Sequence, residues 1–199
     1  MIGYSETVTD HPAATGPAPI FVISGVPGSG KSSVAGALLR RFPLGIHVPV
    51  DDLREWVISG IAHPVPVWTE ETGRQFRLAR EAAADIARRY AAAGFTVVID
   101  DVIDPHEAQA LVIDPLVEHP VHTLLLQPDV EVALARNAAR TSKDFDPRIL
   151  VETIRTLHRH FDQQPFHTMG WIILDTTALD VEQTVDEIVR RCGAPGPLL

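Results

Sequence analysis

The segment Gly25-Val26-Pro27-Gly28-Ser29-Gly30-Lys31-Ser32, called the phosphate loop below, decides the fold of this chain. It matches the pattern G-x-x-x-x-G-K-[ST] at every fixed position. The apolar run Ile20–Ile23 leads into it as a predicted strand, and Ser33–Arg41 leads out as a predicted helix. Glycines allow the backbone to close around an anion, and a helix start carries partial positive charge. The segment therefore predicts a nucleoside triphosphate site.

Within this loop, Lys31 is expected to reach the β- and γ-phosphates, and the Ser32 hydroxyl is expected to bind Mg²⁺. The residues predicted to contact the nucleotide phosphates are Gly25, Pro27, Gly28, Ser29, Gly30, Lys31, Ser32 and Ser33.

Composition narrows the class of protein. The chain has 199 residues, of which 45% are hydrophobic, and a net charge of −9. This size suits one domain, and the acidic balance argues against a nucleic-acid binder. We find no secretory leader and no run long enough to cross a membrane, and a single cysteine, Cys192, fits a reducing compartment. We expect a cytoplasmic protein, either a monomer or a homodimer.

The order of predicted elements indicates an α/β fold. We expect a flexible tail over residues 1–18, one domain over 19–192 with a lid at about 137–150, and a second tail over 193–199. Apolar strands alternating with helices predict a parallel sheet covered on both faces. The predicted strands are Ile20–Ser24, Ile46–Val50, Phe95–Ile99, Val121–Leu126 and Trp171–Leu174. The predicted helices end near Phe42, Ser59, Ala93, Glu118, Arg140, Phe161 and Arg191.

Two acidic residues follow the second predicted strand. A kinase needs a carboxylate to orient the acceptor hydroxyl and take its proton, and ligands bind beyond the carboxyl ends of parallel strands. Aspartate also caps helices well. We therefore expect Asp51 to be the base and Asp52 to cap a helix that begins at Leu53.

A second acidic pair, Asp100 and Asp101, ends the third predicted strand. An acid at this position typically holds Mg²⁺ directly or through water. We expect Asp100 to bind the metal and Asp101 to face the acceptor, although the sequence does not separate the two.

Arg136 and Arg140 stand one helical turn apart and lead into a polar segment that carries Lys143, with Arg148 beyond it. Such a cluster suits a lid that offsets phosphoryl charge. A solvated helix face is the alternative interpretation.

The acceptor pocket is expected after the second strand, where arginines and tryptophans gather. Two tryptophans and a proline-rich segment suit a small organic molecule. The alternative interpretation, with about equal support, is that the tryptophans are core residues and that the arginines lie in solvent. The candidates are Arg54, Trp56, His63, Trp68, Arg74 and Arg77.

Three motifs together resemble the small P-loop kinases. They are the phosphate loop with its strand, Val50-Asp51-Asp52-Leu53, and Val97–Val102. The chain is most similar to chloramphenicol phosphotransferase-like proteins, and it also resembles shikimate and gluconate kinases. Asp175-Thr176-Thr177 resembles their D-T-T segment. The likeness covers residues 20–191, although the acceptor regions 60–68 and 143–167 match nothing identifiable.

The resemblance implies a three-layer α/β/α sandwich with a five-stranded parallel sheet in the order 2-3-1-4-5 and a small helical lid. It also implies an enzyme that uses ATP and Mg²⁺ to phosphorylate a hydroxyl of a small molecule. The resemblance implies that Asp51 is the general base and that Arg136 packs near the adenine. It also implies that Thr176 and Thr177 lie beside the nucleotide base. The alternatives are a nucleotide or nucleoside kinase and a non-catalytic, toxin-like ATP-binding regulator.

Overall fold

The computed structural model describes residues 18–139 and 147–193. Five strands form one sheet in the order β2-β3-β1-β4-β5, and every neighbouring pair is parallel. The strands are β1 (Ile20–Ser24), β2 (Gly45–Pro49), β3 (Thr96–Asp101), β4 (Val121–Leu126) and β5 (Ile172–Leu174). The predicted fold class and strand order are therefore confirmed.

Seven α-helices accompany the sheet in the described residues. They are α1 (Lys31–Leu39), α2 (Val50–Glu55), α3 (Glu70–Ala92), α4 (Pro105–Ala108), α5 (Val130–Ala138), α6 (Val151–Asp162) and α7 (Val181–Cys192). Helix α4 continues as a π turn over Gln109–Ile113 and a 3₁₀ turn over Asp114–Leu116, and a further 3₁₀ turn, Pro147–Leu150, precedes α6.

The two faces of the sheet bury separate hydrophobic clusters because successive strand residues point to opposite sides. Phe21, Ile23 and Val98 pack against α1 and α7 on one face. Val22 and Ile99 pack against α3 and its neighbours on the other. This alternation decides which face each residue at a strand end reaches.

Side-chain caps mark three of the helix starts in the described residues, those of α3, α4 and α7. Thr69 caps α3 by accepting from the Thr72 amide, and Asp104 caps α4 by accepting from the amides of His106 and Glu107. Helix α3 ends at Ala92, close to the predicted end near Ala93, and Gly94 follows it with φ of +87°, which suits a residue without a side chain.

The start of α2 differs from the prediction. The helix begins at Val50 and not at Leu53, and Pro49, not Asp52, occupies the cap position. Proline fixes φ in the range that a helix entry needs, so the chain turns directly out of β2. Asp51 and Asp52 consequently lie in the first turn, where their charge favours the positive end of the helix.

Several helix ends also differ. Helix α1 ends at Leu39 rather than Phe42, and α2 ends at Glu55 rather than Ser59. Residues 140–146 of the predicted lid, which include Arg140 and Lys143, and most of both predicted tails lie outside the described residues.

Candidate active site

The phosphate loop joins β1 to α1 and packs tightly against α5. A Cβ on Gly28 would lie 2.1 Å from the Ala133 carbonyl oxygen, and φ there is +85°. Only glycine fits this close approach. Lys31 Nζ donates to the carbonyls of Gly25, at 2.8 Å, and Val26, at 3.3 Å, so the lysine holds the loop closed around its own backbone.

A cleft of about 470 Å³ opens in front of this loop. Its far wall is formed by Arg136 on α5 and by the connection from β5 into α7. Arg136 Nη2 donates to the carbonyls of Thr176, at 3.0 Å, and Leu179, at 3.1 Å. The guanidinium therefore fixes this wall and itself lines the cleft. The lining residues are Pro27 to Val34, Arg136, Thr176, Leu179, Asp180, Val181 and Thr184.

The two threonines predicted beside the nucleotide base differ in role. Thr177 Oγ1 accepts from the amide of Asp129 at 2.8 Å, so it ties the β5–α7 connection to the start of α5. Thr176 lines the cleft, and its buried hydroxyl has no hydrogen-bond partner among the described residues. Of the two, Thr176 is therefore the residue that lines the cleft, and Thr177 is the one that fixes the connection.

Asp100 lies beside the phosphate loop at the end of β3. Burial alone would raise the pKa of its carboxyl group. A hydrogen bond from His47, the charge of Lys31 and a hydrogen bond with Ser32 outweigh burial and lower that pKa. A charged carboxylate next to a serine hydroxyl is an oxygen ligand set of the kind Mg²⁺ prefers.

Within the described part of the chain, no group of three or more His, Cys, Asp or Glu side chains could hold a metal by itself. Mg²⁺ commonly uses one or two protein ligands and completes its shell with water and substrate phosphates. Ser32 and Asp100 fit that mode of binding.

Asp101 points to the opposite face of the sheet, where it is buried with Arg80 of α3. Arg80 Nε donates to Asp101 Oδ2 at 2.6 Å, and the two side chains are 4% and 3% exposed. Arg80 also contacts Glu107 at 2.7 Å. Burial alone would lower the pKa of Arg80, but the two carboxylates offset it and raise that pKa. Asp101 is thus committed to an ion pair.

The predicted acceptor residues lie in and after α2. Asp51 is exposed in the first turn, whereas Arg54 is only 5% exposed and lies 3.9 Å from the centre of the Phe76 ring. Burial lowers the pKa of Arg54. Trp56 and Trp68 are 71% and 57% exposed, so neither is a core residue.

The segment between α2 and α3 is held by buried polar groups. Arg54 Nη2 donates to the Ala62 carbonyl at 2.6 Å, Gln75 Nε2 donates to the Gly60 carbonyl at 2.8 Å, and the Ala62 amide donates to Gln75 Oε1 at 2.9 Å. Arg54 Nε is buried and has no partner among the described residues. The exposed tryptophans therefore stand on an anchored segment.

The remaining candidates contribute less. Arg74 pairs with Glu71 on the surface of α3, and His63 and Arg77 are exposed. Sequence reasoning missed His47, Gln75 and the pairing of Arg80 with Asp101. For His47 the available signal was a polar side chain between the apolar strand residues Ile46 and Val48.

The sheet order, the phosphate loop and the acid at the end of β3 define a nucleotide-binding fold of the small P-loop kinase type. The profile of the AAA domain family AAA_33 matches residues 20–165. The chain belongs to this family.

One relative by sequence is the UPF0200 protein of Aeropyrum pernix, which is 32% identical over 94 residues, 46% of this chain and 50% of that protein. The chain therefore matches about half the length of this relative. Within the described residues, no helix is both long enough and apolar enough to span a membrane.

Solved structures of a resistance protein and of two small kinases share the fold. The tunicamycin resistance protein of Deinococcus radiodurans aligns with a TM-score of 0.64 at 18% identity, over 92% of this chain and 99% of that one. A gluconokinase from Sinorhizobium meliloti gives 0.63 at 20% identity, over 89% and 92%. Shikimate kinase from Bacteroides thetaiotaomicron gives 0.60 at 16% identity, over 88% and 98%. At such identities the likeness concerns the fold.

Proposed function

We propose that this protein is an ATP-dependent kinase that transfers the γ-phosphate to a hydroxyl group of a small molecule. The observation that carries the proposal is the spacing of two acids around one loop. Asp100 contacts the loop residues that bind triphosphate in this fold, and exposed Asp51 lies in the first turn of the helix that follows β2, the strand next to β3. The solved kinases that share the fold, among them sugar and gluconate kinases, support the same general activity.

In the proposed reaction, the acceptor oxygen attacks the γ-phosphorus while the bond to the β–γ bridging oxygen breaks. Asp51 takes the hydroxyl proton, and the products are the phosphorylated acceptor and ADP. Lys31 and Arg136 offset charge on the phosphates. Ser32 and Asp100 would hold Mg²⁺, which would supply neutralisation of part of the same charge. Arg140 belongs to the proposed lid.

The acceptor is a hydroxylated molecule with an apolar or aromatic portion. Trp68 stacks on Phe76 with ring centres 5.1 Å apart and an interplanar angle of 13°, while much of its surface stays open. Trp56 is exposed just after the helix that carries Asp51. Flat apolar surfaces of this kind favour stacking with a ligand ring. The fold shared with a tunicamycin resistance protein is compatible with an antibiotic-like acceptor.

A nucleotide kinase would need cations in α3 to bind an acceptor phosphate. Arg80 is buried between Asp101 and Glu107, and Arg74 pairs with Glu71. Two of the three arginines between Arg74 and Arg80 are thus already paired, and Arg77 is the exposed one. We therefore favour a hydroxyl acceptor that carries no phosphate over a nucleotide acceptor.

The test is ATP consumption with pooled hydroxylated compounds, using wild type, Asp51→Asn and the neighbouring exposed variant Asp52→Asn. Loss of a general base lowers the acceptor-dependent rate by about 10²- to 10⁴-fold. We expect this loss in Asp51→Asn and a rate near wild type in Asp52→Asn. Equal rates in both variants would refute the role of Asp51.

Two further results would separate the parts of the proposal. If ATP binds but no pool raises ATP consumption above background hydrolysis, the protein is a binding or regulatory module instead.

Once an acceptor is found, Trp68→Ala is expected to raise KM for it and to leave kcat nearly unchanged, because stacking contributes equally to the ground state and the transition state.

A further inference from the structure

His47 contacts the carboxylate that faces the phosphate loop. It lies in the edge strand β2, and its Nε2 is 2.6 Å from Asp100 Oδ2. The two side chains are 27% and 9% exposed, so the contact is largely shielded from solvent. His47 pairs in register with Val98, two residues before Asp100, so both side chains emerge on the sheet face that packs against α1.

The direction of this hydrogen bond follows from the charge on Asp100. An aspartate carboxylate is ordinarily ionised at neutral pH, and in that form it can only accept a hydrogen bond. His47 Nε2 therefore carries the hydrogen and donates it. An imidazole N–H to a carboxylate is a charge-assisted bond, which is stronger than one between neutral groups.

We propose that His47 is a positioning residue that holds the Asp100 carboxylate in the orientation needed to bind Mg²⁺ with the triphosphate. The inference rests on the proposed function, since it concerns the metal that accompanies ATP. It adds a histidine from the neighbouring strand to a site otherwise built from Ser32 and Asp100.

The physical reason is the soft terminal torsion of aspartate. Rotation about χ2 has broad wells, so a lone carboxylate samples many orientations. A bond from His47 to Oδ2 fixes the plane of the Asp100 carboxylate and so orients its second oxygen toward the metal or its water. Without His47, the nearby charge of Lys31 is the main remaining attraction on Asp100. Loss of a hydrogen-bond partner behind a metal ligand typically costs 10- to 100-fold in metal affinity.

The experiment measures binding of a non-hydrolysable ATP analogue by calorimetry across a Mg²⁺ series and in EDTA. His47→Phe keeps the ring but removes the N–H donor. We expect it to raise the Mg²⁺ concentration at half-maximal analogue affinity by about tenfold or more, with affinity in EDTA unchanged. His47→Gln, which returns an N–H donor at similar reach, is expected to recover most of the loss.

His122→Phe is the matched control. His122 lies in β4 of the same sheet and stacks on Phe21 with ring centres 5.0 Å apart, a contact that phenylalanine preserves. We expect its Mg²⁺ midpoint to equal that of wild type. If His47→Phe does not fold, His47→Asn replaces it, because its shorter amide cannot span to Asp100.

Three results would overturn the inference. One is an unchanged Mg²⁺ midpoint in the folded His47 variant, and another is an equal shift in His122→Phe. The third is a loss of affinity that is the same with Mg²⁺ and in EDTA, which would indicate a purely structural histidine. Absence of analogue binding by wild type would instead remove the proposed function, and this inference with it.

Discussion

Replacement of Arg80 by methionine tests the buried ion pair behind the site. Arg80→Met keeps much of the side-chain length but leaves Asp101, which is 5% exposed, without its cation. Removing one partner of a buried pair costs about 3–5 kcal/mol, because the other charge stays buried and unpaired. Each kcal/mol lowers Tm by about 2–4 °C in a chain of this size, so we expect a fall of roughly 6–20 °C.

The same variant has a characteristic pH dependence. Burial raises the pKa of Asp101, and the charge of Arg80 opposes that rise. Without Arg80 the folded-state pKa rises further above the unfolded value, so the folded state binds more protons. Its stability is then highest below the unfolded pKa and falls as pH rises through the folded pKa. The deficit of Arg80→Met relative to wild type is therefore largest at neutral pH and shrinks toward acid pH.

The assay is urea denaturation followed by tryptophan fluorescence and circular dichroism at several pH values. Arg88→Met is the control, since Arg88 lies on the same helix and pairs with Asp85 at the surface, with side chains 49% and 70% exposed. An exposed pair contributes about 0–1 kcal/mol. Equal losses in Arg80→Met and Arg88→Met, or a deficit independent of pH, would refute the reasoning.

Other expectations concern the phosphate loop and the C-terminal helix. Lys31→Ala is expected to abolish ATP binding in calorimetry, and unchanged affinity would contradict the loop assignment. Gly28→Ala should also abolish it, since the new methyl would meet Ala133 at 2.1 Å. By contrast Gly36→Ala, whose Cβ meets nothing closer than 3.8 Å, should raise the free energy of unfolding by about 0.5–1 kcal/mol with ATP affinity unchanged. Burial raises the pKa of Cys192 to about 11. Its alkylation by iodoacetamide at pH 8 should be about two orders of magnitude slower than in urea, and equal rates would contradict burial.

Most element types could be predicted because their signals are local, whereas the strand order was implied by the resemblance to small P-loop kinases. Apolar strands, the phosphate loop and the caps Thr69 and Asp104 each act within a few residues. The start of α2 was misjudged for a physical reason of the same kind. Two signals competed there, and Pro49, which presets the helix entry, prevailed over Asp52 as a cap.

The partners of the site acids could not be predicted, because they are distant in sequence. His47 and Asp100 are 53 residues apart, and Arg80 and Asp101 are 21 apart. A polar residue in an apolar strand, or an arginine among alanines, signals a need for a partner without naming it. The register of β2 against β3 brings His47 to Asp100, and the packing of α3 on the sheet brings Arg80 to Asp101.

The division of roles between Asp100 and Asp101 follows from the alternation of β3. Val98 shares the α1 face with the residues that pack behind the phosphate loop, and Ile99 belongs to the α3 face. Asp100 lies two residues after Val98, so its side chain is on the same face and points toward Ser32 and Lys31. The side chain of Asp101 points toward α3 on the other face. Any pair of acids at the end of this strand is split in the same way once α1 is known to cover that face. Exchanging the roles would require a shift of one residue in β3, which would also turn Val98 and Ile99 out of their two cores.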